Sequence, residues 1–290
     1  MKKLIYNLLG FLNPVMQGSS KNLLRVLAYH TAPNPGLFEK QLLYLSSNYN
    51  VIDIALLREH LFHGSPLPPK PVLITFDDGD ISIYENGLPL LKKYGLPSIM
   101  FIITGLIGSR DMFWCRQVEA AYEAEGKGYL EARKKIKELK SLRNKERREY
   151  LRNLNQFDAR QLTVKELREL EKGNMYIANH THTHPMVDKC TPEEIREELD
   201  VAIQKFKDWG LEGHSVFAYP NGNWDRATEG ILKEKKIEMA FLFDHKLNKK
   251  KIDPMRISRI RVDTYTGLDE FKVKVSGLHS RLMHFKERLQ

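Results

Sequence analysis

The chain has 290 residues, 42% apolar and 29% charged, enough for one sizeable core or two modest ones, which excludes intrinsic disorder. Cys115 and Cys190 stand far apart in sequence, which excludes a disulfide framework and a CxxC redox or zinc-ribbon pair and fits a reducing compartment. The net charge is +9, but +7 of it falls between Lys127 and Lys172, where 15 basic and 8 acidic residues are interspersed.

In chain order, Lys2 and Lys3 precede an apolar run at 4–12 that Asn7 and Gly10 interrupt and Pro14 closes. This run is too short to span a bilayer. Its order is that of an export signal, but no small-residue cleavage site precedes Ser19. Residues 1–20 are therefore expected to form an amphipathic segment that packs or lies on a surface. The expected location is cytoplasmic or membrane-peripheral, with export as the alternative.

Short apolar runs follow at 24–29, 72–76, 98–104, 175–178, 216–219, 239–243 and 257–262, with amphipathic stretches between them. Runs of this length, little broken by charge, read as strands buried on both faces and covered by crossover helices. The pattern predicts an α/β protein, a barrel or a strongly curved parallel sheet. Two helix starts are marked by capping boxes, Thr163-Val164-Lys165-Glu166 and Thr191-Pro192-Glu193-Glu194. The basic stretch has helix-forming composition and is expected as an insertion at about 115–172 inside one domain of residues 21–265, with a C-terminal extension at 266–290. Its mixed signs and scarce aromatics argue against nucleic acid and for a solvated face, or contact with anionic lipid or acidic glycan. The oligomeric state is left open.

Two motifs carry chemistry. Ile74-Thr75-Phe76-Asp77-Asp78-Gly79 puts adjacent carboxylates at the C-terminal end of an apolar run, where α/β folds place their sites. Strand alternation sends Asp77 and Asp78 in different directions, so they can do different work. The plainer alternative is a strand that ends in an Asp-Gly turn. Ile177-Ala178-Asn179-His180-Thr181-His182-Thr183-His184-Pro185 puts three histidines at the end of another run. Two imidazoles and one carboxylate with an open position make a catalytic divalent site, and a surface His-rich loop is the alternative.

Together these motifs resemble the first two motifs of the polysaccharide deacetylases, carbohydrate esterase family four, whose fold is an irregular (β/α) barrel of the NodB-homology type. The resemblance runs from about Leu24 to Val262. Within that family the sequence is most similar to the exopolysaccharide-cluster branch, through Tyr29-His30, the segment at 37–42, Phe113-Trp114, Tyr219-Pro220-Asn221-Gly222 and Arg259-Ile260. The resemblance implies that Asp78, His180 and His184 hold a divalent metal, zinc or else cobalt or nickel, and that Asp77 is the general base. His182 falls at a variable position of the motif and is read as a non-ligand. The implied function is a metal-dependent hydrolase that removes acetyl groups, N-acetyl favoured over O-acetyl, from an acetylated surface polysaccharide or its precursor.

The third family motif departs from the pattern. Many members have Arg-x-Pro-aromatic-Gly with an arginine on the catalytic Asp, whereas this chain has Ala218 there. Arg259 is the candidate replacement, with an outward-facing strand arginine as its alternative. Tyr219, Pro220, Asn221 and Trp224 are expected to wall the sugar site, with a core or turn role as the alternative. For the general acid, His30 is chosen over His245 and His279, because it ends the first strand on the same edge as Asp77 and His180. Ala218 and the unsettled acid also leave open a degenerate relative that binds glycan without turnover.

Overall fold

The computed structural model describes residues 20–280; the basic and apolar residues at 2–12, and 281–290 of the expected extension, lie outside the described residues. The strands are β1 (Arg25–Tyr29), β2 (Asn50–Val51), β3 (Pro71–Phe76), β4 (Ser98–Ile102), β5 (Met175–Asn179), β6 (Val216–Ala218), β7 (Met239–Phe241) and β8 (Ile260–Arg261). Each apolar run of the sequence overlaps one of them, and the two-residue β2 is the addition.

The strands pair in parallel in the order β7-β6-β5-β4-β3-β1-β8, with β2 against β3. The sheet curls until one segment touches both edges: Ile257 bridges to Phe241 of β7, while Ile260 and Arg261 pair with Leu27 and Ala28 of β1. Residues 257–261 thus complete an irregular barrel, the expected α/β architecture. Alternation along the strands divides the core. Val26, Leu73, Ile99, Phe101, Ala178, Val216, Ala218, Met239, Phe241 and Ile257 fill the interior. Their neighbours, among them Leu27, Ile74, Phe76, Met100, Ile102 and Ile177, face the covering helices.

The helices are α1 (Pro35–Asn48), α2 (Ile54–His63), α3 (Leu88–Tyr94), α4 (Trp114–Ala124), α5 (Tyr129–Ser141), α6 (Asn144–Arg152), α7 (Val164–Lys172), α8 (Pro192–Asp208), α9 (Arg226–Glu234) and α10 (Leu268–Ser276). Both sequence-marked capping boxes form, with Thr163 accepting from the Glu166 N–H and Thr191 from that of Glu194. In α4 to α6, Trp114, Cys115, Val118, Ile136 and Leu139 share a small core with Met186. Helix α7 instead sends Leu167 and Leu170 into the main core, so the inserted unit is narrower than 115–172. The domain boundary expected at 265 is also corrected. Phe271 and Val275 of α10 are buried in the main core, and Arg25 Nε donates to the Val275 carbonyl at 2.7 Å. Among the described residues no helix is long and apolar enough to cross a membrane.

Candidate active site

The C-terminal ends of β3 and β5 carry the site. Inward alternation along β3 passes through Leu73 and Thr75 to Asp77, which is 3% exposed and whose N–H still pairs with the Tyr29 carbonyl at 2.9 Å. Arg259, from the closing segment, is fully buried and grips Asp77 with two bonds, Nη1 to Oδ1 at 2.6 Å and Nη2 to Oδ2 at 2.9 Å. Its Nε donates to the Leu242 carbonyl at 2.8 Å, and its guanidinium carbon lies over the Phe101 ring, 5.2 Å from the centroid. A planar fork held this way meets a carboxylate bidentately. Burial raises the Asp77 carboxyl, but Arg259, His180 and His30 outweigh it and hold Asp77 below the usual carboxylate range.

Beyond Asp77 the chain leaves the strand. Asp78 and Gly79 both take left-handed conformations, φ 69° and 77°, which turns the Asp78 carboxylate toward β5. There His180 follows Asn179, and the loop reaches His184 through left-handed Thr181 (φ 69°) and His184 (φ 55°). Asp78 Oδ1 lies 3.6 Å from Nε2 of each histidine. His180 Nδ1 is 2.8 Å from the Ala218 carbonyl and so bears the proton there, leaving Nε2 free to ligate. The three donor atoms lie within 4.8 Å of one another.

This arrangement fits a divalent ion. Asp78 Oδ1 is buried and makes no hydrogen bond among the described residues. Burial, partly offset by His30 and His180, raises its carboxyl. Burial lowers His180, and it lowers His184 well below the ordinary value, with the charges of His180, Lys140 and Arg147 adding to the effect. Two imidazoles held neutral around an unsatisfied carboxylate oxygen are the protonation state and polar demand that a bound cation meets.

The other sequence candidates divide. His30 Nε2 lies 4.0 Å from Asp77 Oδ2 on a side chain 37% exposed, its ring edge against Phe243. His245 packs on Phe243 and His279 instead. His182 turns away from the donor set, its Nδ1 3.1 Å from Thr104 Oγ1. Tyr219 corrects the expectation of a sugar wall: it is fully buried, packs on Phe217 among Leu199, Ile231 and Leu232, and donates to the Met255 carbonyl at 3.3 Å. Because Ala218 points inward, period two turns Tyr219 outward under the helices. Pro220 is likewise buried, while the exposed Trp224 ring is covered by the Arg256 guanidinium at 4.2 Å. Asn221 is exposed.

Several contributors were not singled out as site residues. Phe113 packs edge-on against the His184 ring at 5.0 Å, and Trp114 Nε1 donates to the His184 carbonyl at 3.3 Å. Glu198 of α8 accepts from the His182 N–H at 2.9 Å and the Thr183 N–H at 2.7 Å, and also binds the Thr183 hydroxyl. Lys140 of α5 reaches Asn221.

The fold and donor set define a (β/α)-barrel protein in which three donor residues able to hold a divalent cation stand beside a buried, arginine-held carboxylate. The family model for polysaccharide deacetylase matches residues 64–240, and the chain belongs to that family. Among curated relatives, the poly-beta-1,6-N-acetyl-D-glucosamine N-deacetylase of Staphylococcus aureus (strain N315) is 41% identical over 76 residues, 26% of each chain. The protein of that name from Staphylococcus epidermidis is 52% identical over 42 residues, 14% of each. The chain thus spans about a quarter or less of the length of the curated relatives it matches. Two solved structures share the fold at 20% identity. Deacetylase PplD from Streptococcus pyogenes has a TM-score of 0.64, covering 88% of this chain and 99% of its own. IcaB from Ammonifex degensii has 0.63, covering 88% and 97%.

Proposed function

We propose that the protein is a metal-dependent hydrolase that removes N-acetyl groups from a poly-N-acetylglucosamine exopolysaccharide. The observation that carries this reading is the meeting, at one end of the barrel, of Asp78, His180 and His184 with the Arg259-held Asp77. The names of the staphylococcal relatives supply the glycan and favour the amide over the ester. Asp78, His180 and His184 would hold the ion. Two imidazoles and a carboxylate suit zinc, and cobalt or nickel also fits. When bound, such an ion supplies a lowered pKa for water and polarisation of an acyl oxygen.

The chain's own groups do the rest. Asp77, kept ionised by Arg259, accepts the proton of the attacking water, and Arg259 fixes the direction in which its oxygens point. His30, partly exposed beside Asp77, delivers a proton to the departing amine. Phe113 and Trp114 hold the His184 ring and carbonyl in place. We propose a cytoplasmic or membrane-peripheral location, with export as the alternative.

The test is acetate release from N-acetylglucosamine oligomers, with O-acetylated glycans beside them, by metal-stripped and zinc- or cobalt-reloaded protein. Release restored by metal and abolished by Asp77→Asn is expected. Glycan binding and metal uptake without acetate from any substrate would replace this reading with glycan binding alone.

A further inference from the structure

Arg147 is a buried cation that the proposed hydrolysis does not use. It lies in α6 at 2% exposure, with its guanidinium carbon 5.2 Å over the Trp114 ring and its Nη2 donating to Asn144 Oδ1 at 2.7 Å. Its Nε is buried without a hydrogen-bond partner, and among the described residues the guanidinium forms no ion pair. A guanidinium taken out of water is costly unless an anion meets it, and one neutral amide oxygen is not an anion.

Arg147 lines a groove of about 290 Å³ together with Gly105, Asp111, Trp114, Arg148 and His182. The loops after β4 and β5 that supply Gly105 and His182 are stitched together, the Thr104 and Gly105 N–H groups donating to the Thr181 and His182 carbonyls at 3.1 and 2.9 Å. None of Asp77, Asp78, His180 and His184 lines this groove, so it is distinct from the donor set. Arg148 is exposed and, among the described residues, also forms no ion pair. His182, which the donor set leaves out, engages Thr104 Oγ1 through Nδ1, and its Nε2 has no partner among the described residues. Asp111 is the one acid lining the groove, and it is exposed. Lys145 and Arg152 share a second groove with Arg148 and Glu194, whose carboxylate oxygens are already taken by the Asn144 amide and the Thr191 N–H.

Two guanidiniums without carboxylate partners, one of them buried against an aromatic face, are the donors of an oxyanion site. A carboxylate brings one negative charge, whereas a phosphoryl group brings about 1.5 to 2 at neutral pH and three acceptor oxygens, which better matches two arginines and an imidazole nitrogen. We propose that this groove binds a phosphoryl group between Arg147 and Arg148, carried either by inorganic phosphate or by a small phosphorylated sugar. The site is independent of the deacetylase reading.

The experiment is titration calorimetry of the full chain, metal-stripped and zinc-loaded, with inorganic phosphate, a hexose phosphate and acetate. Wild type, Arg147→Met, Arg148→Ala and a surface control on α8, Lys207→Ala, are compared. Phosphate or the hexose phosphate should bind wild type in both metal states, and whichever binds more tightly names the source. Each groove variant should weaken that binding about tenfold or more, with Lys207→Ala within about twofold of wild type and acetate bound more weakly than phosphate. If Arg147→Met does not fold, the exposed Arg148→Ala decides alone. The proposal is overturned if neither phosphate ligand binds wild type, if binding vanishes when zinc is stripped and so belongs to the ion, or if acetate binds as tightly. Affinity unchanged in Arg148→Ala, or lowered as much in Lys207→Ala, overturns it equally.

Discussion

Replacing Arg259 with methionine removes both bonds to Asp77 while roughly keeping the volume packed against Phe101. Asp77 is 3% exposed and Arg259 fully buried, so the variant leaves an uncompensated carboxylate in the barrel. Breaking a buried pair from one side costs about 3–5 kcal/mol, which for a domain of this size lowers Tm by roughly 6–15 °C. The sign with pH follows from the Asp77 carboxyl, held low in wild type by Arg259 against the effect of burial. Wild type carries this stabilisation above the unfolded carboxylate pKa and loses it as pH falls. In the variant burial is less opposed, so the deficit is largest at neutral pH and shrinks in acid as Asp77 takes up a proton. Calorimetry across pH measures this, and the acidic limb of acetate release should move upward because the base is protonated earlier. Adding Asp77→Asn to Arg259→Met should recover part of the lost stability, since the orphaned charge is gone. A variant that melts within about 2 °C of wild type at neutral pH with an unmoved acidic limb would refute the reasoning.

Three further outcomes are expected. Glu198→Ala frees the loop that bears His184, so metal affinity should drop about 10–100-fold with the fold retained, measured by chelator competition; unchanged affinity contradicts a role in ligand positioning. In metal-free protein His184 and His180 are held below the ordinary imidazole value of 6.5, so the unfolded chain takes up protons first and stability falls as pH drops from about 6.5. A Tm flat from neutral to mildly acid pH in chelator-treated protein would contradict that. Gly213→Ala places a Cβ 1.8 Å from the Ile177 carbonyl oxygen, on the strand that leads to His180, and should cost about 3 kcal/mol or more by denaturant melt; a neutral effect would show that this backbone approach is looser than described.

The strands were legible because parallel strands buried on both faces are short apolar runs, and the donor set because its residues sit directly at two strand ends. Arg259 could be nominated because the family's usual arginine position holds Ala218, but the bidentate grip required the barrel to close. Tyr219 was misplaced because its motif was read as a wall of the sugar site, although strand alternation from inward-facing Ala218 puts it outside. Lys140 and Glu198 were not legible as site residues. Each lies in a helix whose local pattern reads as a charged, solvated face, and each reaches its partner through tertiary packing: Lys140 meets Asn221 81 positions on, and Glu198 reaches back 16 positions to His182. The two-residue β2 carries too little periodicity to be seen.

The barrel's closing segment also sets an order of events during synthesis. Asp77 leaves the ribosome 182 residues before Arg259, and Asp78, His180 and His184 are all present well before residues 257–261 arrive to join β7 to β1. A nascent or truncated chain ending short of Arg259 would own the whole donor set yet leave its buried base unpaired and its sheet open. On the proposed function, the base would therefore be paired late, by the same few residues that shut the barrel.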